Sequence, residues 1–116
     1  MTPAKLRKWC LARPGAVEEF PFGPDVTVFK VGGKIFAISG LADPLKVSVK
    51  CEPELARRHR ASYPAVNPGY HLNKRHWNTI TVDGSMPDRL VLDMVEDSYD
   101  LIVESLPRRA REALTA

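Results

Sequence analysis

The sequence predicts an α+β domain in two layers, an antiparallel sheet with helices on one face and the other face partly open. Three observations carry this reading. Val26 to Val31 and Lys34 to Ser39 flank Gly32-Gly33, a pair that tolerates the positive φ angles of a tight hairpin turn. Leu45 to Lys50 and Trp77 to Val82 alternate with the period of two that a half-buried strand requires. Val91, Met94, Val95, Ser98, Leu101 and Ile102 recur as one stripe at helical spacing.

Each element has its own local signal. Thr2-Pro3 supplies a cap and a first-turn proline, Leu6, Trp9 and Cys10 follow at helical spacing, and Pro14-Gly15 ends a first helix of about Pro3 to Ala12. The hairpin comes next, then Leu45 to Lys50, with Val47 and Val49 on one face and Lys46, Ser48 and Lys50 on the other. Glu52-Pro53-Glu54 opens a second helix that carries Leu55 and Ala56 inward, Arg57, Arg58 and Arg60 outward, and stops before Tyr63-Pro64. Pro64 to His76 reads as a loop longer than most connections in compact domains, and so as a functional suspect. In the following strand Ile80 and Val82 point inward, and Trp77, Thr79 and Thr81 outward. Ser85-Met86-Pro87-Asp88 has the cap-x-x-acid pattern that starts the longest helix, running to about Leu106. Arg108 to Thr115 forms a last basic helical piece or a frayed end.

With 116 residues, 44% of them hydrophobic and 27% charged, the chain buries roughly two-thirds of its unfolded surface, enough for one domain spanning residues 1–116 without staples. Cys10 and Cys51 stand alone, with no partner at zinc-ligand spacing, so reduced thiols in a cytoplasmic protein are expected. Cys10 reads as a small buried hydrophobe, and Phe20 to Gly23 as an aromatic pair that anchors the first loop in the core. No apolar run reaches the roughly 18 residues of a membrane span, and the start of the chain lacks a secretory signal. A cytoplasmic protein with no membrane association is expected.

The net charge of +3 says little, but its distribution says more. Between Glu54 and Asp83 there is no acid, only Arg57, Arg58, Arg60, Lys74 and Arg75 with all three histidines, His59, His71 and His76. From Asp83 to Glu104 seven acids face one cation, Arg89. Such segregation gives a basic face suited to an anionic partner, or else two solvated surfaces.

His71-Leu72-Asn73-Lys74-Arg75-His76-Trp77 is the densest polar heptad. Its cations suit phosphates, Asn73 suits an adenine edge or a phosphate, and an exposed Trp77 suits an unpaired base. The same residues also fit a structural role, with Asn73 as a cap, Lys74 and Arg75 in solvent and Trp77 at the edge of the core. His71 and His76 are five apart, which suits neither one helix face nor one strand face, so no metal is expected. A nucleophile paired with a base and an orienting acid is not evident, and no phosphate-cradling glycine string occurs. Neither a reaction nor a cofactor is assigned.

The ordered set Pro14-Gly15, Glu18, Phe20 to Gly23, Phe29-Lys30-Val31, Lys34 to Ala37, Val47 to Lys50, Pro68, His71 to Trp77, Asp83-Gly84, Pro87 and Ser98-Tyr99 resembles the MmcQ/YjbR-like family. The resemblance covers nearly the whole chain, and H-L-N-K-x-H-W followed by D-G-S-x-P and later S-Y carries most of its specificity. It implies the order α-β-β-β-α-β-β-α, a frataxin-like (CyaY-like) fold shared with bacterial secretion chaperones, and a DNA-binding role through a double-wing arrangement of strands. Residues and resemblance together lead to a small DNA-binding protein of little sequence preference and regulatory character. Lys46, Lys50, His71, Asn73, Lys74, Arg75, His76 and Trp77 form the site, and Arg57, Arg58 and Arg60 add charge. The alternative is a partner-binding or chaperone-like module without enzymatic activity, whose cue is apolar rather than basic residues on the open sheet face; a monomer is expected under either reading.

Overall fold

In the computed structural model, which describes residues 1–69 and 71–115, local signals set most of the boundaries. Thr2 Oγ1 accepts the Lys5 amide at 3.1 Å, so α1 (Pro3–Leu11) begins where its cap places it. A three-residue strand, β1 (Val17–Glu19), follows, then the hairpin β2 (Val26–Val31) and β3 (Lys34–Gly40). The hairpin turns on Gly32 and Gly33, both at positive φ (58° and 79°). After β4 (Leu45–Lys50), the Glu52 carboxylate caps α2 (Pro53–Ser62) by accepting the Glu54 and Leu55 amides. The chain ends with β5 (Val66–Pro68), β6 (Trp77–Val82), α3 (Asp88–Glu104) and the short α4 (Arg108–Leu114).

All strand pairs are antiparallel, in one sheet of order β1-β2-β3-β4-β6-β5. The α+β class is as expected, with helices on one sheet face. The order gains β1 and α4, and β5 lies inside the stretch read from the residues as a loop. Both edge strands, β1 and β5, are only three residues long. No described helix is long and apolar enough to cross a membrane.

α3 lies on β3 and β4, α1 packs against α3, and α2 covers β5 and β6. The core between them is built from Phe29, Val31, Phe36, Val47, Val49 and Ile80 of the sheet with Leu6, Val91, Val95 and Ile102 of the helices. The register shifts after Phe29, leaving Phe36 as an extra residue between Ile35, opposite Lys30, and Ala37, opposite Phe29. The fully buried Ser98 resolves this bulge: its Oγ donates to the Phe36 carbonyl at 2.6 Å and accepts the Lys50 amide at 2.8 Å. One hydroxyl thus ties α3 to two strands.

Two local readings are corrected. Phe20 and Phe22 do not enter the core: they are 50% and 66% exposed, on a turn closed by the Gly23 amide donating to the Phe20 carbonyl. β1 is an edge strand, so the turn projects where no further element could cover it. Ser85 is not a helix cap; its amide and hydroxyl both donate to Asp83 Oδ1, at 2.9 and 2.6 Å, and α3 starts behind Pro87 with no side-chain cap. The Asp83 carboxylate, flanked by Ser85 in the same tight turn, outcompetes the more distant helix amides.

Candidate nucleic-acid interface

Register puts Lys46, Ser48 and Lys50 of β4 directly opposite Thr81, Thr79 and Trp77 of β6, on the face away from the helices. The predicted polar face is therefore real, but less open than its alternation suggests. Ser48 Oγ and Thr79 Oγ1 lie 2.8 Å apart and each residue is only 8% exposed. These short hydroxyls lie between the longer Lys46, Lys50 and Trp77, which with Thr81 occupy the flanking positions on the same face. Towards β1 this face turns apolar, with Val28 fully buried opposite the half-buried Ile38 and Val17 exposed at the edge. The Lys30–Glu19 ion pair, at 3.0 Å, crosses beside Val28.

The basic residues gather beyond the end of this face. Lys50 runs through Cys51 into α2, and Arg75 runs through His76 into β6, so the two handovers lie side by side. The Cys51 amide donating to the His76 carbonyl at 2.7 Å clamps them together. Between the first turns of α2 and the 73–75 turn lies an open groove lined by Glu52, Glu54, Arg57, Arg60, Lys74 and Arg75, with Pro53 beside them. Residues from two segments of the acid-free window are thus brought to one place by the fold.

Several candidate side chains have structural duties that the sequence reading assigned to solvent. Arg60 is half-buried, not simply outward: its Nη1 donates to Asn78 Oδ1 at 2.8 Å and to the Lys74 carbonyl at 3.2 Å. Asn78, 2% exposed, passes the tie on by donating from Nδ2 to the Ala56 carbonyl. Lys74 Nζ donates to the Gly69 carbonyl at 3.1 Å, drawing the loop around itself. Asn73 caps a turn rather than a helix, Oδ1 accepting the Arg75 amide at 2.9 Å, while its carbonyl accepts the His76 and Trp77 amides. Arg57 pairs with Glu54 at 2.8 Å, and this neighbour holds the Glu54 carboxyl below its usual range.

The remaining candidates are distributed less tightly. Arg58 is exposed on α2 but does not line the groove. His71 is exposed at positive φ (56°), and His76 is half-buried. Trp77 is half-buried too, with its carbonyl accepting the Gly69 amide at 2.8 Å. A Cβ on Gly69 would lie 2.8 Å from the Trp77 Cβ, so the loop closes against β6 only because residue 69 is glycine. Trp77 is thus not the open indole that an outward position predicts, and Trp9 on α1 is equally half-buried, under the Arg13 guanidinium 4.1 Å from its ring.

A small crevice where α2 and α3 meet the sheet holds Cys51, His59, Asn78 and Asp97. Burial pulls the His59 imidazole below its ordinary range, against the opposing charge of Asp97. Burial, then repulsion from Asp100 and Asp93, raises the Asp97 carboxyl, and burial raises the Cys51 thiol. A thiol so placed is a poor nucleophile. Among the described residues no three His, Cys, Asp or Glu side chains come together to hold a metal ion.

A six-stranded antiparallel sheet backed by helices, with a cationic groove at one end of its free face, defines a small α+β domain of the YjbR type. The chain belongs to the YjbR family: the family model matches residues 11–101. It is 37% identical over 115 residues to the uncharacterized protein YjbR of Escherichia coli K12, covering 98% of each chain. To the uncharacterized protein YyaQ of Bacillus subtilis it is 33% identical over 55 residues, covering 47% of this chain and 46% of that one. The crystal structure of a Deinococcus radiodurans protein with a DUF419 domain superposes with a TM-score of 0.92 at 36% identity, covering 98% of this chain and 88% of that one. A Pseudomonas syringae protein shares the fold, at a TM-score of 0.76 and 24% identity over 87% of this chain and 98% of its own.

Proposed function

We propose that this protein is a small cytoplasmic DNA-binding protein that grips the phosphate backbone with little sequence preference and acts in regulation. The observation that supports this is the meeting of Arg57, Arg60, Lys74 and Arg75 in one groove next to the Lys50–Trp77 end of the sheet face, with Lys46 further along β4 on the same face. Guanidinium and ammonium groups suit phosphate oxygens, whereas base reading rests on few groups, because Asn73 already spends its amide oxygen on a turn. No catalytic step is assigned.

The test is duplex-DNA affinity across a salt series. Each phosphate contact adds about 0.9 to the log–log slope, so Lys74→Ala with Arg75→Ala should lower it by roughly 2. An unchanged slope removes the groove from the interface. A second reading, docking of a protein partner, draws on Val17, Phe20 and Phe22, the large apolar side chains left exposed near β1. Under that reading the binding would be insensitive to salt and lost on Phe22→Ser.

A further inference from the structure

We propose that the groove between α2 and the 73–75 turn is a receptor for a terminal phosphate, taking the phosphorylated end of a nucleic-acid strand or a free mononucleotide. The inference rests on the nucleic-acid reading above and narrows it to one chemical group. A phosphodiester within a strand carries one negative charge, whereas a phosphate monoester carries about 1.5 to 2 at neutral pH. The groove collects four cations, Arg57, Arg60, Lys74 and Arg75, against the carboxylates of Glu52 and Glu54, an excess of two positive charges in one concavity. That excess matches the monoester dianion.

The cations are also unequal in freedom, in a way that suits a single compact anion. Arg60 and Lys74 are fixed from behind: Arg60 through Nη1 to Asn78 and Lys74, and Lys74 through Nζ to Gly69. A guanidinium has five N–H groups and an ammonium three, so these bonds orient the two side chains without exhausting them. Arg57 and Arg75 are exposed at the rim. Arg57 is held by Glu54, a surface pair weak enough for an incoming dianion to displace. The helix start itself contributes nothing to the site, because Glu52 already occupies the Glu54 and Leu55 amides. The phosphate must therefore be held by side chains.

The experiment compares one short single strand bearing a 5′-phosphate, a 3′-phosphate or hydroxyl ends, alongside deoxythymidine monophosphate and closed circular duplex. The terminal phosphate should tighten binding about tenfold, as one additional charge-assisted contact would. Arg75→Ala and Arg57→Ala should each shrink that gap severalfold, whereas Arg109→Ala on α4 should leave it intact. Competition by the mononucleotide would identify the free nucleotide as a sufficient ligand; a gap without such competition would assign the strand end. Equal affinity for phosphate and hydroxyl ends overturns the inference, and so does a gap that Arg109→Ala reduces as much as Arg75→Ala. If circular and hydroxyl-ended DNA bind while no gap exists, the end-specific inference fails and the general DNA reading stands. If only phosphate ends bind, the end-specific inference stands and the DNA reading is cut back from the whole backbone to strand ends; if nothing binds both fall.

Discussion

Arg60 reaches from the groove into the interior, its guanidinium donating at 2.8 Å to the amide oxygen of the buried Asn78. A residue that sequence reasoning places among solvated cations therefore also holds the end of β6 against α2, through Asn78 and the Ala56 carbonyl.

Removing it should be felt in stability before binding. Arg60→Ala leaves a buried amide oxygen unpaired, at a cost of about 1 to 3 kcal/mol, whereas Arg58→Ala, exposed on the same helix, should stay within roughly 0.5. Urea unfolding of the two variants decides the matter; equal midpoints would show that water replaces Arg60 at Asn78.

The two faces of β6 should differ in degree rather than in kind. Ile80→Ala empties a fully buried site and should cost about 2 to 5 kcal/mol. Thr79→Ala breaks the buried Ser48 pair and should cost about 1 kcal/mol, more than an open-face threonine would. A neutral Thr79→Ala would mean that the Ser48 hydroxyl finds another partner.

The first helix carries a pH dependence. Burial pushes the Cys10 thiol from its ordinary 9.0 up to about 12, with Arg13 opposing weakly. Between those values the unfolded chain releases a proton that the folded chain keeps, so stability is complete below about pH 9 and falls as pH rises towards 12. The loss from this group is about 1.4 kcal/mol per pH unit within that window. Cys10→Ala should flatten the alkaline limb of a stability–pH curve relative to the parent chain; identical limbs would locate the loss in other groups.

What was legible in the sequence had local causes. The Thr2 cap, the paired glycines, the start of α2 and the alternation of β4 and β6 are decided by residues within a few positions of each other, and each lies where its signal put it. β1 and β5 are different: three residues cannot show a period, and Val17–Glu19 is a strand only because β2 lies beside it. Proline in β5 argues against a central strand and is admissible only at an edge, a position that sequence does not reveal. In the same way, the cationic composition of the groove was legible, while the anchoring of Arg60 and Lys74 by distant partners was not.

The brevity of the outermost strands bears on how this molecule coexists with its own copies. An edge strand offers unpaired amides and carbonyls as a template on which another chain can add, the route to fibrils and swapped assemblies. Here Pro14 and Pro21 bracket Val17–Glu19 closely, and Val66–Pro68 follows Pro64 and ends in a residue with no amide hydrogen to donate. Neither rim can nucleate a ladder of useful length. At high concentration the sheet is thus guarded against self-templated growth on both sides.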